Sequence, residues 1–127
     1  MDNVIKACNP FWGSIIKKMD FDFFNEVIKF DVTLIDGEIE TNHTLEIRDY
    51  ESLLWLEKSE TTHEEYDFKG GDYYEFTAIT FGSVKANSED KWLKQYLLEF
   101  NITIEIWESA LLVKAKNIIV DGLEYDL

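Results

Sequence analysis

The stretch FNEVIKFDVTLIDGEIETNHTLEI, residues 24–47, decides the fold. Two runs rich in β-branched residues, 24–35 and 38–47, flank Asp36-Gly37. Asp-Gly is a strong signal for a two-residue hairpin turn, because a type I′ turn needs positive φ at both central residues. Pairing outward from that turn sets Leu34 opposite Ile39, Val32 opposite Thr41, Phe30 opposite His43 and Ile28 opposite Leu45. The other face sets Thr33 against Glu40, Asp31 against Asn42 and Lys29 against Thr44. One face is apolar and the other polar in a single register, and a slip by one residue would destroy the match.

Upstream of the hairpin, Asn9-Pro10 is a good helix opening, with Asn as N-cap and Pro at the first helical position. Phe11, Ile15 and Met19 follow at four-residue spacing, and Trp12 and Ile16 widen the stripe. This pattern predicts a short helix over residues 10–19 with Phe11 and Trp12 as core anchors. Downstream, Leu53-Leu54-Trp55-Leu56 reads as a separate short strand. Residues 57–72 form a long polar loop, closing with Gly70-Gly71-Asp72. Residues 73–85, rich in aromatic and β-branched side chains, read as a strand. Asn87-Ser88-Glu89-Asp90 opens a second short helix, with acids suited to its first turn and Trp92, Leu93 and Tyr96 as its buried stripe. Residues 101–107 alternate strictly, with Ile102, Ile104 and Ile106 inward. Residues 110–116 are a further strand. Residues 117–127 hold a last strand or hairpin, where Asp121-Gly122 repeats the turn signal. The sum is an α+β, β-rich fold: a mainly antiparallel sheet of about seven strands with two short helices, the sheet being barrel-like, a sandwich or open against the helices, a choice the sequence does not make. A single domain over residues 1–127 is expected.

The composition agrees. The chain has 127 residues, 46% of them hydrophobic and 15% aromatic, enough for a packed core despite a net charge of −14. Arg48 is the one arginine, and lysine and arginine together number 12 against 26 acids. A general nucleic-acid binder needs clustered basic residues, so that class is excluded. Unassisted binding to an anionic membrane is disfavoured for the same reason. The N-terminus shows no signal-peptide pattern and no apolar run is long enough for a membrane span. With Cys8 as the one cysteine, no intramolecular disulfide can form, and a cytoplasmic location is expected.

Residues that could carry chemistry are few. His43 falls on the apolar face of the hairpin and reads as a partly buried, hydrogen-bonded histidine. His63, beside Glu64 and Glu65, matches no metal-ligand spacing. Cys8 lacks a neighbouring base or cation that would make it a thiolate. Phosphate-loop, zinc-protease and nucleophile-elbow motifs are absent from the sequence. No catalytic residue, metal or cofactor is expected. The charge is the remaining signal. Between residues 57 and 72, acids mix with aromatics, and Glu60, Glu64, Glu65, Tyr66, Asp67, Asp72 and Tyr73 are the candidate partner-binding residues. Acids speed encounter with a basic protein and aromatics supply desolvated anchors. A second acidic cluster, Asp20, Asp22 and Glu26, precedes the hairpin.

Four segments carry a family resemblance: Asn9-Pro10-Phe11-Trp12-Gly13-Ser14-Ile15, Leu53-Leu54-Trp55-Leu56, Asp90-Lys91-Trp92-Leu93-Lys94-Gln95-Tyr96 and Ile104-Glu105-Ile106-Trp107-Glu108-Ser109-Ala110-Leu111. They resemble the YxiG-like proteins, a group of small proteins from Gram-positive bacteria. More loosely, the chain resembles the β-rich immunity proteins of bacterial toxin systems. Those usually carry a His-Asp or Asp-Ser step where this chain has Asn25-Glu26. The resemblance implies a cytoplasmic, non-enzymatic inhibitor that neutralises a basic toxin or effector domain, such as a nuclease, encoded beside it. The alternative expectation is a small-ligand or carbohydrate-binding β domain without catalysis, with exposed aromatics such as Trp107 as its platform. Edge strands leave a homodimer open.

Overall fold

A computed structural model describes residues 2–57, 74–85 and 99–127. It contains one α-helix, α1 (Asp2–Ala7), then a 3₁₀ turn (Asn9–Phe11) and seven strands among the described residues. The strands are β1 (Ser14–Asp22), β2 (Val27–Asp36), β3 (Ile39–Leu56), β4 (Tyr74–Lys85), β5 (Glu99–Ile106), β6 (Ser109–Val120) and β7 (Leu123–Asp126). They form one antiparallel sheet in the order β3-β2-β1-β4-β5-β6-β7. β3 also pairs with β6, so the chain of ladders returns on itself and β7 extends β6.

The hairpin is present, with its register moved by two partners. Asp36 faces Ile39, so Gly37 and Glu38 are the turn. Gly37 alone of the two has positive φ, +64°, the sign pattern of a type II′ turn. A shift of two keeps every side chain on its expected face. It matches Ile28 with Ile47 and Phe30 with Leu45, all four fully buried. On the other face the Thr33 hydroxyl donates to Asn42 Oδ1 at 2.8 Å. The second Asp-Gly behaves as the sequence suggests: Asp121 (φ 48°) and Gly122 (φ 86°) are both left-handed, and Val120 faces Leu123.

The helix expected over residues 10–19 is not formed. Gly13 (φ 77°) stops the 3₁₀ turn, and the chain continues as β1. A bulge between Ile16 and Lys18 explains the misleading spacing. Partner residues set Ser14, Ile16, Met19 and Phe21 on the inner face, so the bulge interrupts the two-residue period. Trp12, expected in the core, is 48% exposed, whereas Phe11 is fully buried. The separate strand expected at Leu53 is the far half of β3. That strand bends where Asp49 is left-handed (φ 53°) and its register slips between Tyr50 and Ser52. The second expected helix, with Trp92, Leu93 and Tyr96, lies outside the described residues.

One cluster fills the interior, from Ile28, Phe30 and Val32 of β2 across to Leu111, Val113 and Ile118 of β6. Phe76 stands at its centre, 5.5 Å from the rings of both Phe11 and Phe30. Val4, Cys8 and Phe11 bring the N-terminal segment onto this core. No helix among the described residues is long and apolar enough to cross a membrane.

Candidate docking groove

Two bulges build the most distinctive surface of the molecule. On β1, the bulge turns Met19 and Phe21 toward the side of Phe30 and Ile28. On β3, the slip after Tyr50 turns Leu53 and Trp55 toward the side of Val113 and Leu111. These four side chains and Phe23 line an open, wholly apolar groove of about 310 Å³. Met19 is 37% exposed and Trp55 39%, so the core is not sealed here.

The turn joining β1 to β2 shapes one wall. Asp22 Oδ1 accepts the backbone N–H groups of Phe24 and Asn25, each at 3.1 Å, and the Asn25 side chain donates to Oδ2 at 2.7 Å. These bonds hold the Asp22 carboxyl below its usual range, the Asn25 side chain contributing most. The turn closes with Glu26 in the left-handed region, φ 57°. It carries Phe23 against Phe21, rings stacked at 6.2 Å, and leaves Phe24 fully in solvent. Carboxylates are frequent in the sequence around the groove residues, although Asp20, opposite Lys29, faces away from Met19 and Phe21. Residues 19–26 and 49–56 hold Asp20, Asp22, Glu26, Asp49 and Glu51 and no lysine or arginine. Asp20 pairs with Lys18 at 3.3 Å and Glu51 with Lys114 at 3.4 Å, both exposed contacts of small energy. Tyr50, packed on the core beside the groove, has its hydroxyl pushed up first by desolvation, then by the charges of Glu26 and Asp22.

A second polar constellation lies where the N-terminal segment meets the sheet. His43 Nδ1 is 2.8 Å from Asp121 Oδ2 and His43 Nε2 is 3.0 Å from Thr41 Oγ1. With the proton on Nδ1, the ring donates to the carboxylate and accepts from the hydroxyl. Asp121 Oδ1 also accepts the Thr44 N–H at 2.8 Å, and the Asp121 N–H donates to the Thr44 carbonyl at 2.9 Å. The carboxylate thus ties the β6–β7 turn to β3. Phe11 covers the imidazole at 5.8 Å. Cys8 is buried, and that burial, with Asp121 adding its charge, pushes the thiol up to about 12. It stays protonated at neutral pH and is no nucleophile.

The sequence-predicted partner residues Glu60, Glu64, Glu65, Tyr66, Asp67, Asp72 and Tyr73 lie outside the described residues, as does His63. Trp107, the expected platform residue, is half-buried and left-handed (φ 53°); its ring lies 5.9 Å from the Tyr74 ring, and its backbone N–H donates to Thr77 Oγ1 at 2.8 Å. Sequence reasoning noted Asp20, Asp22 and Glu26 but not the groove beside them. The available signal was the aromatic run Phe21, Phe23 and Phe24 threaded through those acids. It also missed Asp121 as the partner of His43, which no local pattern could supply.

Fold and surface together describe a β-rich protein of one antiparallel sheet, with an open apolar groove between β1 and β3. The chain belongs to the YxiG-like protein family, whose sequence profile matches residues 4–125. Among curated proteins, none matches it.

Proposed function

We propose that this chain is an interaction protein, an immunity-type inhibitor that binds a basic toxin domain, a nuclease being the favoured target. One observation supports the reading above others: an acidic chain of net charge −14 presents the fully exposed Phe24 beside an open apolar groove. Exposed aromatics set in a field of one sign suit a partner of the opposite sign, because charge speeds encounter and apolar anchors retain it. A nuclease cleft is basic because it must hold phosphates, and carboxylates can occupy the same positions. The binding surface in this reading includes the acidic segment with Glu60, Glu64, Glu65, Tyr66, Asp67, Asp72 and Tyr73, and the cell compartment is the cytoplasm.

The test is inhibition. A basic nuclease domain encoded beside this chain is assayed with increasing inhibitor, and association is followed by stopped flow at low and high salt. Activity should fall in proportion to added inhibitor, and the association rate should drop at least ~10-fold at high salt. Reversing Glu60, Glu64, Glu65 and Asp67 together should slow association; an unchanged rate removes that segment from the interface. Full nuclease activity under excess inhibitor refutes the reading. The groove's wholly apolar lining gives a second reading, a small apolar ligand, which a thermal-shift panel would reveal as a raised midpoint.

A further inference from the structure

Resting on the reading of this chain as a binder of basic proteins, we infer that the outer edge of β7 takes up a strand of the partner, one that alternates basic and apolar residues. The sheet returns on itself through β3 and β6, which leaves β7 as the end strand, with β6 as its one ladder partner among the described residues. The aim of its backbone groups follows from the turn. A two-residue turn at Asp121-Gly122 makes Val120 and Leu123 a hydrogen-bonded pair, and such pairs recur at every second residue. The Leu127 N–H, donating to the Lys116 carbonyl at 2.9 Å, keeps that phase. Leu123, Tyr125 and Leu127 therefore bond to β6, and the N–H and C=O groups of Glu124 and Asp126 point away from it. Such a row is a template for one more strand.

The side chains select which strand. Glu124 and Asp126 share one face of β7 and are both exposed, whereas Tyr125 between them packs on the core. Neither carboxylate makes an ion pair among the described residues. Across β6, the row of Asp126 runs through Asn117 to Arg48, whose guanidinium is already held by Glu46 at 2.8 Å. The row of Glu124 runs through Ile119 to Glu46. Residues of an added strand that lie opposite Glu124 and Asp126 stand on the same face as those carboxylates, so lysine or arginine fits there. The residue between them stands on the face of Tyr125 and is apolar. A second copy of β7 would set acids opposite acids, which is destabilising, so the occupant is a basic strand and not this chain.

Amide hydrogen exchange reads the edge directly. In the free chain the Glu124 and Asp126 amides should exchange fast, and those of Tyr125 and Leu127 slowly. The probe is a synthetic peptide of alternating lysine and valine. It is compared with one of the same composition in two separate blocks, and with an alternating peptide N-methylated at every second residue. The alternating peptide should slow exchange at Glu124 and Asp126 saturably, and bind roughly tenfold tighter than the block peptide. The N-methylated peptide should give no protection. Glu124→Gln with Asp126→Asn, both at exposed positions, should weaken binding several-fold and flatten its salt dependence. Unchanged exchange at Glu124 and Asp126 overturns the inference. So does protection of both amides in the free chain, which would mean that the chain covers its own edge. Equal affinity for the block peptide would leave charge alone as the cause, and protection that grows with concentration of the chain alone would assign the edge to a second copy; either overturns it. If a basic toxin is inhibited while these two amides stay unprotected in the complex, the edge assignment fails and the inhibitor reading stands. If the peptide protects them but no basic toxin is inhibited, the reverse holds.

Discussion

At the scale of single residues, the chain places reactive groups in settings that disarm them. Cys8 could be mistaken for a nucleophile near a histidine–aspartate pair. Its burial instead favours the neutral thiol, up to about 12, against an ordinary value of 9.0. The raised value has a direction in stability. Below the ordinary thiol range the group is neutral in both folded and unfolded chains, and its contribution is fully present. Between about 9 and about 12 only the unfolded chain ionises it, so stability falls as pH rises through that window. Native protein at pH 8 should therefore leave a thiol-reactive disulfide reagent almost untouched, and denaturant should release one equivalent. Cys8→Ala should flatten the alkaline loss of stability in urea titrations across that window. Asp121 is the counterpart on the polar side. One carboxylate receives both the His43 ring and the Thr44 amide, so a left-handed turn residue also serves as a clamp between two strands.

At the scale of elements, the sheet depends on points where a strand changes partner. β6 gives one edge to β3 and shares the other between β5, through Val113, and β7, from Asn117. Ala115 pairs with Tyr50 on the β3 edge but has no backbone ladder partner on the other. Asn101 fills that gap with a side chain, donating from Nδ2 to the Ala115 carbonyl at 2.7 Å and accepting the Ala115 N–H at 3.0 Å. The amide thus imitates a backbone rung. Asn101→Ala would leave a donor and an acceptor unpaired beside the core, at a cost of about 1–3 kcal/mol each. Urea unfolding should show that loss, and the Ala115 amide should lose hydrogen-exchange protection before its neighbours do. Asn101→Asp should restore the acceptor but not the donor and fall between. β1 shows the opposite device. Its bulge at Lys17 removes one residue from the ladder and so aims Met19 and Phe21 into the groove.

At the scale of the whole molecule, charge works against compactness. With −14 on 127 residues, folding draws like charges together, and the described lysine pairs are exposed and weak. Added salt screens that repulsion over a Debye length of roughly 10 Å at 0.1 M. The thermal midpoint should therefore rise between low salt and a few tenths molar sodium chloride, while affinity for a basic partner falls. A midpoint independent of salt would mean that opposite charges already balance locally. The opposed responses separate the two consequences of acidity: it lowers the stability of the free chain and speeds the encounter with its partner.

Alternation along a strand is a local property, so residues 24–47, 101–107 and 110–116 announced their strands, and Asp121-Gly122 announced its turn. The two faces of the hairpin were legible for the same reason. Its register was not, because Asp36-Gly37 and Gly37-Glu38 are both workable turns. The choice falls to the burial of Ile47 and Leu45 against Ile28 and Phe30. β1 was hidden by its bulge, which turned a two-residue period into the spacing of a helix. The continuity of β3 was hidden by a bend that local polarity imitates as a loop. The site was the least visible part. Met19 and Trp55 meet because two separate ladders slip, and His43 finds Asp121 across 78 residues. Sequence by itself determined the acidic character, the β content and which face of each regular strand is apolar, since these follow from residue type and period. Tertiary structure alone decided the registers, the return of β3 onto β6 and the groove, since these depend on which distant strands share an edge.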